Sequence, residues 1–354
     1  MNAFSYRVQT LQPSAIREIL KFTADPEVIS FAAGNPAPEA FPTEEIARIT
    51  NEILTTTPID ALQYSITEGY TPLRNWIKDD LKKKGMFNEN DEDVVITSGA
   101  QQAIEVVTKE ICNEGDTIIE NPRTAFIYLI PNFQNPTGKT MSLEKRKAVL
   151  ALAQKYNVYI LEDNPYGDLR YIGENVPTIK SLDKNGNVLY AGTFSKTLAP
   201  GLRVGYLCAP KNVIAKAVVC MQVSTVHTSI LPQMITYKFV TENDFEQHLE
   251  KLREIYKHKS DLMLTNLKMK MPKSIKFTEP EGGLFIWGTL PDGDMPYFCK
   301  KAVKNKVAVV PGNAFLTDEN APCLSFRLNY STPTDEQIEK GVDILAEVAS
   351  TMYR

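Results

Sequence analysis

Hydrophobic positions in this chain fall into two kinds of pattern. Short unbroken runs occur at Val94–Thr97, Ile127–Ile130, Val158–Leu161, Val188–Gly192 and Val204–Leu207. Such runs predict buried strands. Between and around them, amphipathic or mostly helical stretches occur at 72 to 84, from about Gln101, at 143 to 156 and over most of 211 to 270, with a long charged helix around 244 to 268. Boundary signals support the reading. Ser14 caps a short helix over 14 to 22, and Thr43 caps the next, with Glu44 and Glu45 in its first turn. Pro72 opens a helix, and Ser142 caps another on which Lys145 and Arg146 face outward. Gly/Pro-rich loops fill 31 to 42, and a second loop spans Gln63 to Thr71. The C-terminal portion mixes β-prone segments (GGLFIWG, VAVVPG, LSFRLNYS) with a final helix from about Thr334 to Tyr353. Alternating strands and helices predict an α/β fold with a mostly parallel sheet, and the C-terminal mixture predicts a second, smaller α+β domain.

Composition narrows the class. At 354 residues the chain is long for one core, which again favours two domains. The net charge of −4 is spread over charges of mixed sign, so nothing favours nucleic acid or a membrane surface. No apolar stretch has the length of a membrane span, and the N-terminus lacks the apolar core of a signal peptide. The five cysteines are odd in number, scattered and without CxxC spacing, which reads as reduced thiols of a cytoplasmic protein. The three histidines form no ligand pair, so no metal is expected; His248 and His258, in charged helical sequence, are expected to be solvated.

One stretch resists the pattern. Only seven residues, ENPRTAF, separate a strand ending near Ile119 from one starting near Ile127. Neighbouring parallel strands need a crossover of about a dozen residues or more. Either one strand is antiparallel or non-existent, or a piece of the natural chain is missing here; the second is favoured, with the break expected at Pro122–Arg123.

Candidate chemistry begins where Val188–Gly192 runs into TFSKTLAPGLR. In an α/β sheet, ligands sit beyond the carboxyl ends of the strands. Lys196 there stands between hydroxyls (Thr193, Ser195, Thr197) and Arg203. A lysine amine whose pKa is lowered forms Schiff bases with carbonyls, and hydroxyls with a guanidinium suit a phosphate. Aldehyde and phosphate together describe pyridoxal 5'-phosphate (PLP). Such a cofactor needs an acid partner at its pyridine nitrogen, for which Asp163 is placed, and donors to its phenolate oxygen, for which Tyr166 and Asn135 are placed. Ala100 and Gln101, at a helix start after a small-residue turn, add backbone donors for phosphate. Each residue alone has an ordinary reading: Lys196 solvated, Asp163 a cap, Asn135 in a turn, Tyr166 in the core, Arg327 in a structural ion pair. Together, at separate strand ends, they point to one pocket.

These residues lie in motifs that resemble the fold-type I PLP enzymes, specifically the class I/II aminotransferases. Within them the chain is most similar to the group holding 2-aminoadipate and kynurenine aminotransferases and the effector domains of MocR-type regulators. The matching pieces are QYS at Gln63–Ser65, SGAQQA at Ser98–Ala103, QNPTG at Gln134–Gly138, EDNPYGDLR at Glu162–Arg170, GTFSKTLAPGLRVGY at Gly192–Tyr206, EGGLFIW at Glu281–Trp287 and FRLNYS at Phe326–Ser331. The resemblance implies a large PLP-binding domain over 43–260 and a small substrate-closing domain from 1–42 and 261–354. It implies ping-pong transamination between an L-amino acid and a 2-oxo acid, with Lys196 forming the internal aldimine and moving the proton. Asp163 would pair with the ring nitrogen, Asn135 and Tyr166 would bond the phenolate oxygen, and Thr193, Ser195, Arg203, Ala100 and Gln101 would hold the phosphate. Tyr64 would reach the neighbouring subunit's cofactor, which implies a homodimer with shared sites. Arg327 would clamp the substrate carboxylate, Gly34 would lie in a loop closing over substrate, and Arg17 would select its side chain. In the family the segment between SGAQQ and QNPTG is longer and carries the ring that stacks on the cofactor, and no aromatic residue stands just after Asn121-Pro122 here. Other readings are a ligand-sensing domain of a MocR-type regulator, a PLP lyase or decarboxylase on the same fold, and a cofactor-less remnant.

Overall fold

A computed structural model describes Gln9, residues 25–114, residue 116 and residues 124–353. The expected helix over 14 to 22, Arg17, and the proposed break at Pro122–Arg123 lie outside the described residues. The strands are β1 (Ile29–Ser30), β2 (Glu92–Thr97), β3 (Phe126–Leu129), β4 (Tyr159–Asp163), β5 (Val188–Thr193), β6 (Gly205–Pro210), β7 (Lys276–Phe277), β8 (Phe285–Thr289), β9 (Val307–Ala308), β10 (Val310–Pro311) and β11 (Ser325–Asn329). β2 to β6 form one five-stranded sheet in the order β2-β6-β5-β4-β3. β3, β4 and β5 are mutually parallel, and β6 is antiparallel to both β5 and β2. Four of the five strands therefore point one way. The reversal at β6 follows from its connection: Phe194 to Val204 is too short to carry a crossover, so the chain turns back as a hairpin.

Side-chain alternation along the strands explains the two-faced burial. Val95, Leu189, Ala191, Leu207 and Ala209 pack under the helices Gly99–Ile111 and Lys211–Ser224. Their immediate neighbours Val94, Ile96, Tyr190 and Cys208 face the opposite layer, built from Thr43–Thr56, Thr71–Lys83 and Ile230–Glu242. Each fully buried aliphatic side chain of this kind, such as Ile53 or Leu73, contributes about 1.5–3 kcal/mol. The second sheet is antiparallel, β10-β11-β8-β7, and β1 pairs beside it with β9. It shares a core with the helices Phe245–Lys270, Met295–Lys304 and Asp335–Ser350, the last closed by a capping box between Thr334 and Gln337. The helix Phe245–Lys270 runs unbroken through residue 260, and its buried Leu249, Leu252, Tyr256, Met263 and Leu267 all join that core. Among the described residues, no helix is long and apolar enough to cross a membrane.

Three local expectations need correction. Ser142 does cap its helix, accepting from the Lys145 amide, but Arg146 on the same helix is fully buried, not outward. Its guanidinium donates to the carbonyls of Met141, Pro131, Val176 and Pro177 and to Asn132 Oδ1, so converging loop carbonyls replace water. His248 is not solvated: its ring lies against Phe239 and Phe245, and Nε2 donates to the Thr197 carbonyl at 2.8 Å. Thr43 is not a cap, because the helical ladder already starts at Pro42, whose carbonyl accepts from Ile46 N–H.

Candidate active site

The β5–β6 hairpin positions the lysine. Thr193 ends β5, its hydroxyl donating to Ser195 Oγ at 2.9 Å and accepting from the Ser195 amide. The next residue, Lys196, sends its Nζ to the Gly34 carbonyl at 2.6 Å, which ties the hairpin to the loop after β1. Burial pushes the amine down to about 8, helped by the charges of Arg327 and Arg203. Two cations that disfavour a third are what a nucleophilic lysine needs.

Arg203 closes the hairpin in the left-handed backbone region (φ 55°) and donates from Nη2 to the Ser98 carbonyl at 2.9 Å. Ser98 precedes the helix Gly99–Ile111, so Ala100 and Gln101 lie in its first turn. A helix N-terminus and an arginine therefore meet at one edge of the sheet, joined across β2 and β6. Glycines make the approach possible. A Cβ on Gly99 would lie 2.5 Å from Arg203 Nη2, and one on Gly205 would lie 2.6 Å from the Gly99 backbone carbon.

Asp163 is the last residue of β4 and is 5% exposed. Its Oδ2 accepts from Tyr128 Oη at 2.7 Å, while Oδ1 is buried and has no partner among the described residues. Burial pushes the carboxyl up to about 6, against the pull of the Tyr128 hydroxyl. Tyr166 is also buried, edge-on to Phe285 with ring centroids 5.7 Å apart. Burial first, then the nearby Asp163 charge, raises its hydroxyl well above the ordinary range, and Arg327 acts in the opposite sense.

Arg327 lies on β11 and is 3% exposed. Nη1 donates to Asn135 Oδ1 and Nη2 to the Ala32 carbonyl, each at 2.7 Å. The guanidinium is stacked between Phe285 (4.4 Å to the centroid) and Phe315 (5.1 Å). Its Nε has no partner among the described residues, and burial lowers its pKa to about 10.

Most of the residues singled out by sequence thus share one locality. Asp163 acts on Tyr166, Tyr166 and Arg327 act on each other, and Arg327 and Arg203 act on Lys196. Tyr64 stands apart: it is 81% exposed, and its ring meets only the edge of His227 among the ring contacts. Arg17 lies outside the described residues. Sequence reasoning missed Tyr128 and the Ala32 carbonyl. The carbonyl leaves no trace in sequence, but a tyrosine inside an otherwise aliphatic run is a signal, because its buried hydroxyl needs a partner.

A pyridine aldehyde phosphate can be tested against these groups. Its ring N–H would meet the orphaned Asp163 Oδ1, its aldehyde a lysine whose pKa is lowered to about 8, and its phosphate the glycine-lined edge between Arg203 and the helix start. The buried Arg327 Nε, also orphaned, remains for a carboxylate. The donor set fits the group.

Comparison with known proteins gives the family. Residues 119–345 match the family of class I and II aminotransferases. The chain is 37% identical to an aromatic-amino-acid aminotransferase of Thermococcus litoralis, over 97% of this chain and 93% of the relative. It is 34% identical to a 2-aminoadipate transaminase of Thermus thermophilus, over 96% of this chain and 94% of that one. The structure of a kynurenine aminotransferase from Pyrococcus horikoshii, solved in complex with PMP, superposes with a TM-score of 0.92 at 34% identity, covering 99% of this chain and 98% of the other. The alignment with the Thermococcus relative runs over 389 positions, more than the 354 residues here, so part of that relative has no counterpart in this chain.

Proposed function

The chain belongs to the class I and II aminotransferases, and we propose that the cluster around Lys196 is where it carries out PLP-dependent transamination. The observation that carries this is a pair of buried atoms of opposite character, Asp163 Oδ1 and Arg327 Nε, both without a partner among the described residues, in one locality with a half-buried lysine of lowered pKa. PLP, when bound, supplies an aldehyde that takes up the amino group and a ring that accepts the negative charge developing at the substrate's α-carbon. The chain's own residues do the rest. Asp163 accepts the ring N–H, and Asn135 and Tyr166 donate to the phenolate oxygen. Thr193, Ser195, Arg203, Ala100 and Gln101 hold the phosphate. Arg327 binds the substrate carboxylate by its guanidinium fork, held in plane by Asn135, Ala32 and the two phenylalanine rings. Lys196 Nζ, once it leaves the Gly34 carbonyl, takes the proton from the substrate's α-carbon.

Residues 43–260 serve as the cofactor-binding unit, with 1–42 and 261–354 closing over substrate. The protein works as a homodimer with Tyr64 turned to the partner's cofactor. Supporting this are the exposed apolar side chains Ile59, Leu62, Tyr64, Ile66, Val223 and Val226, with the Thr67 hydroxyl bonded to the Val226 carbonyl. All five cysteines are free, which supports a reducing, cytoplasmic setting.

The test is an absorbance spectrum of the PLP-loaded protein against an amino acid panel headed by aromatic amino acids, 2-aminoadipate and kynurenine. At least one should convert the visible band of lysine-bound cofactor to the near-ultraviolet band of its amine form, and a 2-oxo acid should restore it. Lys196→Ala should fold but never show the lysine-bound band. A loaded protein whose spectrum no amino acid changes would overturn the proposal.

A further inference from the structure

Asp163 has two oxygens with different fates. Oδ2 is taken by Tyr128 Oη at 2.7 Å, and Oδ1 is buried with no partner among the described residues. Tyr128 sits on β3, one strand over, where it faces Leu161 in register; it reaches the carboxylate across the strand boundary. On the other side, Asp163 is paired in register with Ala191 of β5, which carries no polar side chain. The ionisable groups facing the carboxylate are Tyr128 and, from the turn after β4, Tyr166.

We propose that Tyr128 is a positioning residue for the cofactor: by anchoring Oδ2 it fixes the carboxylate rotamer and leaves Oδ1 as the acceptor for a pyridine N–H. A carboxylate turns about its terminal bond easily, since that torsion is broad. One lateral hydrogen bond is enough to hold it. The same bond favours the charged form, opposing burial, which alone drives a carboxyl toward neutrality. A carboxyl protonated on Oδ1 would point a donor at the ring N–H, and a neutral carboxyl in any form lacks the charge that holds the ring proton. Tyr128 thus acts on both the direction and the charge of the group.

This inference rests on the assignment of Asp163 to the ring nitrogen, and the experiment separates the two. Tyr128→Phe removes one hydroxyl and keeps the ring; Tyr128→Met is the second hydroxyl-free variant should the first fail to fold. Apo proteins are titrated with PLP and with its 1-deaza analogue, which has C–H in place of the ring nitrogen, at pH 8 and pH 6. Thermal unfolding is followed in parallel. Loss of one hydrogen bond should raise the Asp163 pKa by about one unit, so the variant's deficit in PLP affinity should grow by roughly fivefold from pH 8 to pH 6. The deaza analogue should bind wild type and variant alike. If both ligands weaken equally, or PLP binding does not change at either pH, Tyr128 only packs and the inference falls. Asp163→Asn serves as the separate control: if it binds PLP as tightly as wild type, the assignment of Asp163 fails first and takes this inference with it.

Discussion

Gly99→Ala probes the proposed phosphate end of the site without replacing a polar group. Gly99 has φ +71°, and an added Cβ would stand 2.5 Å from Arg203 Nη2 and 3.1 Å from Nη1. Alanine in the left-handed region costs about 1–2 kcal/mol, which a domain of this size survives. The clash falls on the end of a flexible side chain, so the guanidinium moves rather than the backbone. Ordinary contact begins at 3.4 Å, so the head of Arg203 must retreat by about an ångström. That breaks its bond to the Ser98 carbonyl and takes a charged donor away from the proposed phosphate site. A hydrogen bond to a charged group is worth about 1.5–3 kcal/mol, which predicts roughly ten- to a hundredfold weaker PLP binding. The assay is absorbance titration of the apo protein with PLP and, separately, with pyridoxal, which lacks the phosphate. Pyridoxal binding should not change. In an Arg203→Ala background, Gly99→Ala should cause no further loss, because the path it acts through is already gone. Equal losses for PLP and pyridoxal, or an undiminished affinity for PLP, would refute the reasoning.

Three other outcomes are expected. Capture of PLP by the apo protein, followed by stopped-flow absorbance, should rise with pH to a midpoint near 8, because the neutral amine reacts; at pH 7 that gives about 300 times more neutral amine than an ordinary lysine would have. A midpoint above 10 would mean the amine is solvated. Arg327→Leu should raise KM and lower kcat for every amino acid substrate, a combined loss of about 2–5 kcal/mol in steady-state kinetics, and values within twofold of wild type would leave Arg327 a structural residue. Arg146→Met should destabilise the fold by about 3 kcal/mol or more in urea denaturation, since it strands several buried carbonyls at once; a loss below about 1 kcal/mol would show that water replaces the guanidinium.

The parts of this structure legible in sequence are those encoded locally. The strands announce themselves because both sheet faces are covered, so Val94–Thr97 or Val188–Gly192 need no polar positions. Ser142 caps its helix through a contact three residues away. Lys196, its hydroxyl neighbours and Arg203 are packed into one hairpin, so their chemistry can be read from a single run. What escaped reading depends on partners far along the chain. Arg146 looks like a surface residue until the loop carbonyls at Pro131, Val176 and Pro177 converge on it. His248 is drawn from solvent by Phe239 and the Thr197 carbonyl. Tyr128 has meaning only once β3 lies beside β4. Arg327 could be suspected from its apolar surroundings, but the setting of its guanidinium is fixed by Asn135 and Ala32 in other parts of the chain.

The antiparallel strand next to the edge of the large sheet has a consequence for how this protein can vary. Gly205, the first residue of β6, is in register with Thr97 on one side and Thr193 on the other. Strand ends that belong to separate stretches of sequence are thereby indexed to a single residue, as two rules are by a shared zero mark. Lengthening the hairpin that carries Lys196 and Arg203 would offset that mark for Ser98 and the helix start as well. Gly205 itself cannot grow, because a Cβ there would meet the backbone of Gly99 and Ala100. The two loops are therefore inherited as one part. Changes accepted by a lineage of such proteins should gather in the outer connections, while the spacing from Thr193 to Gly205 stays constant.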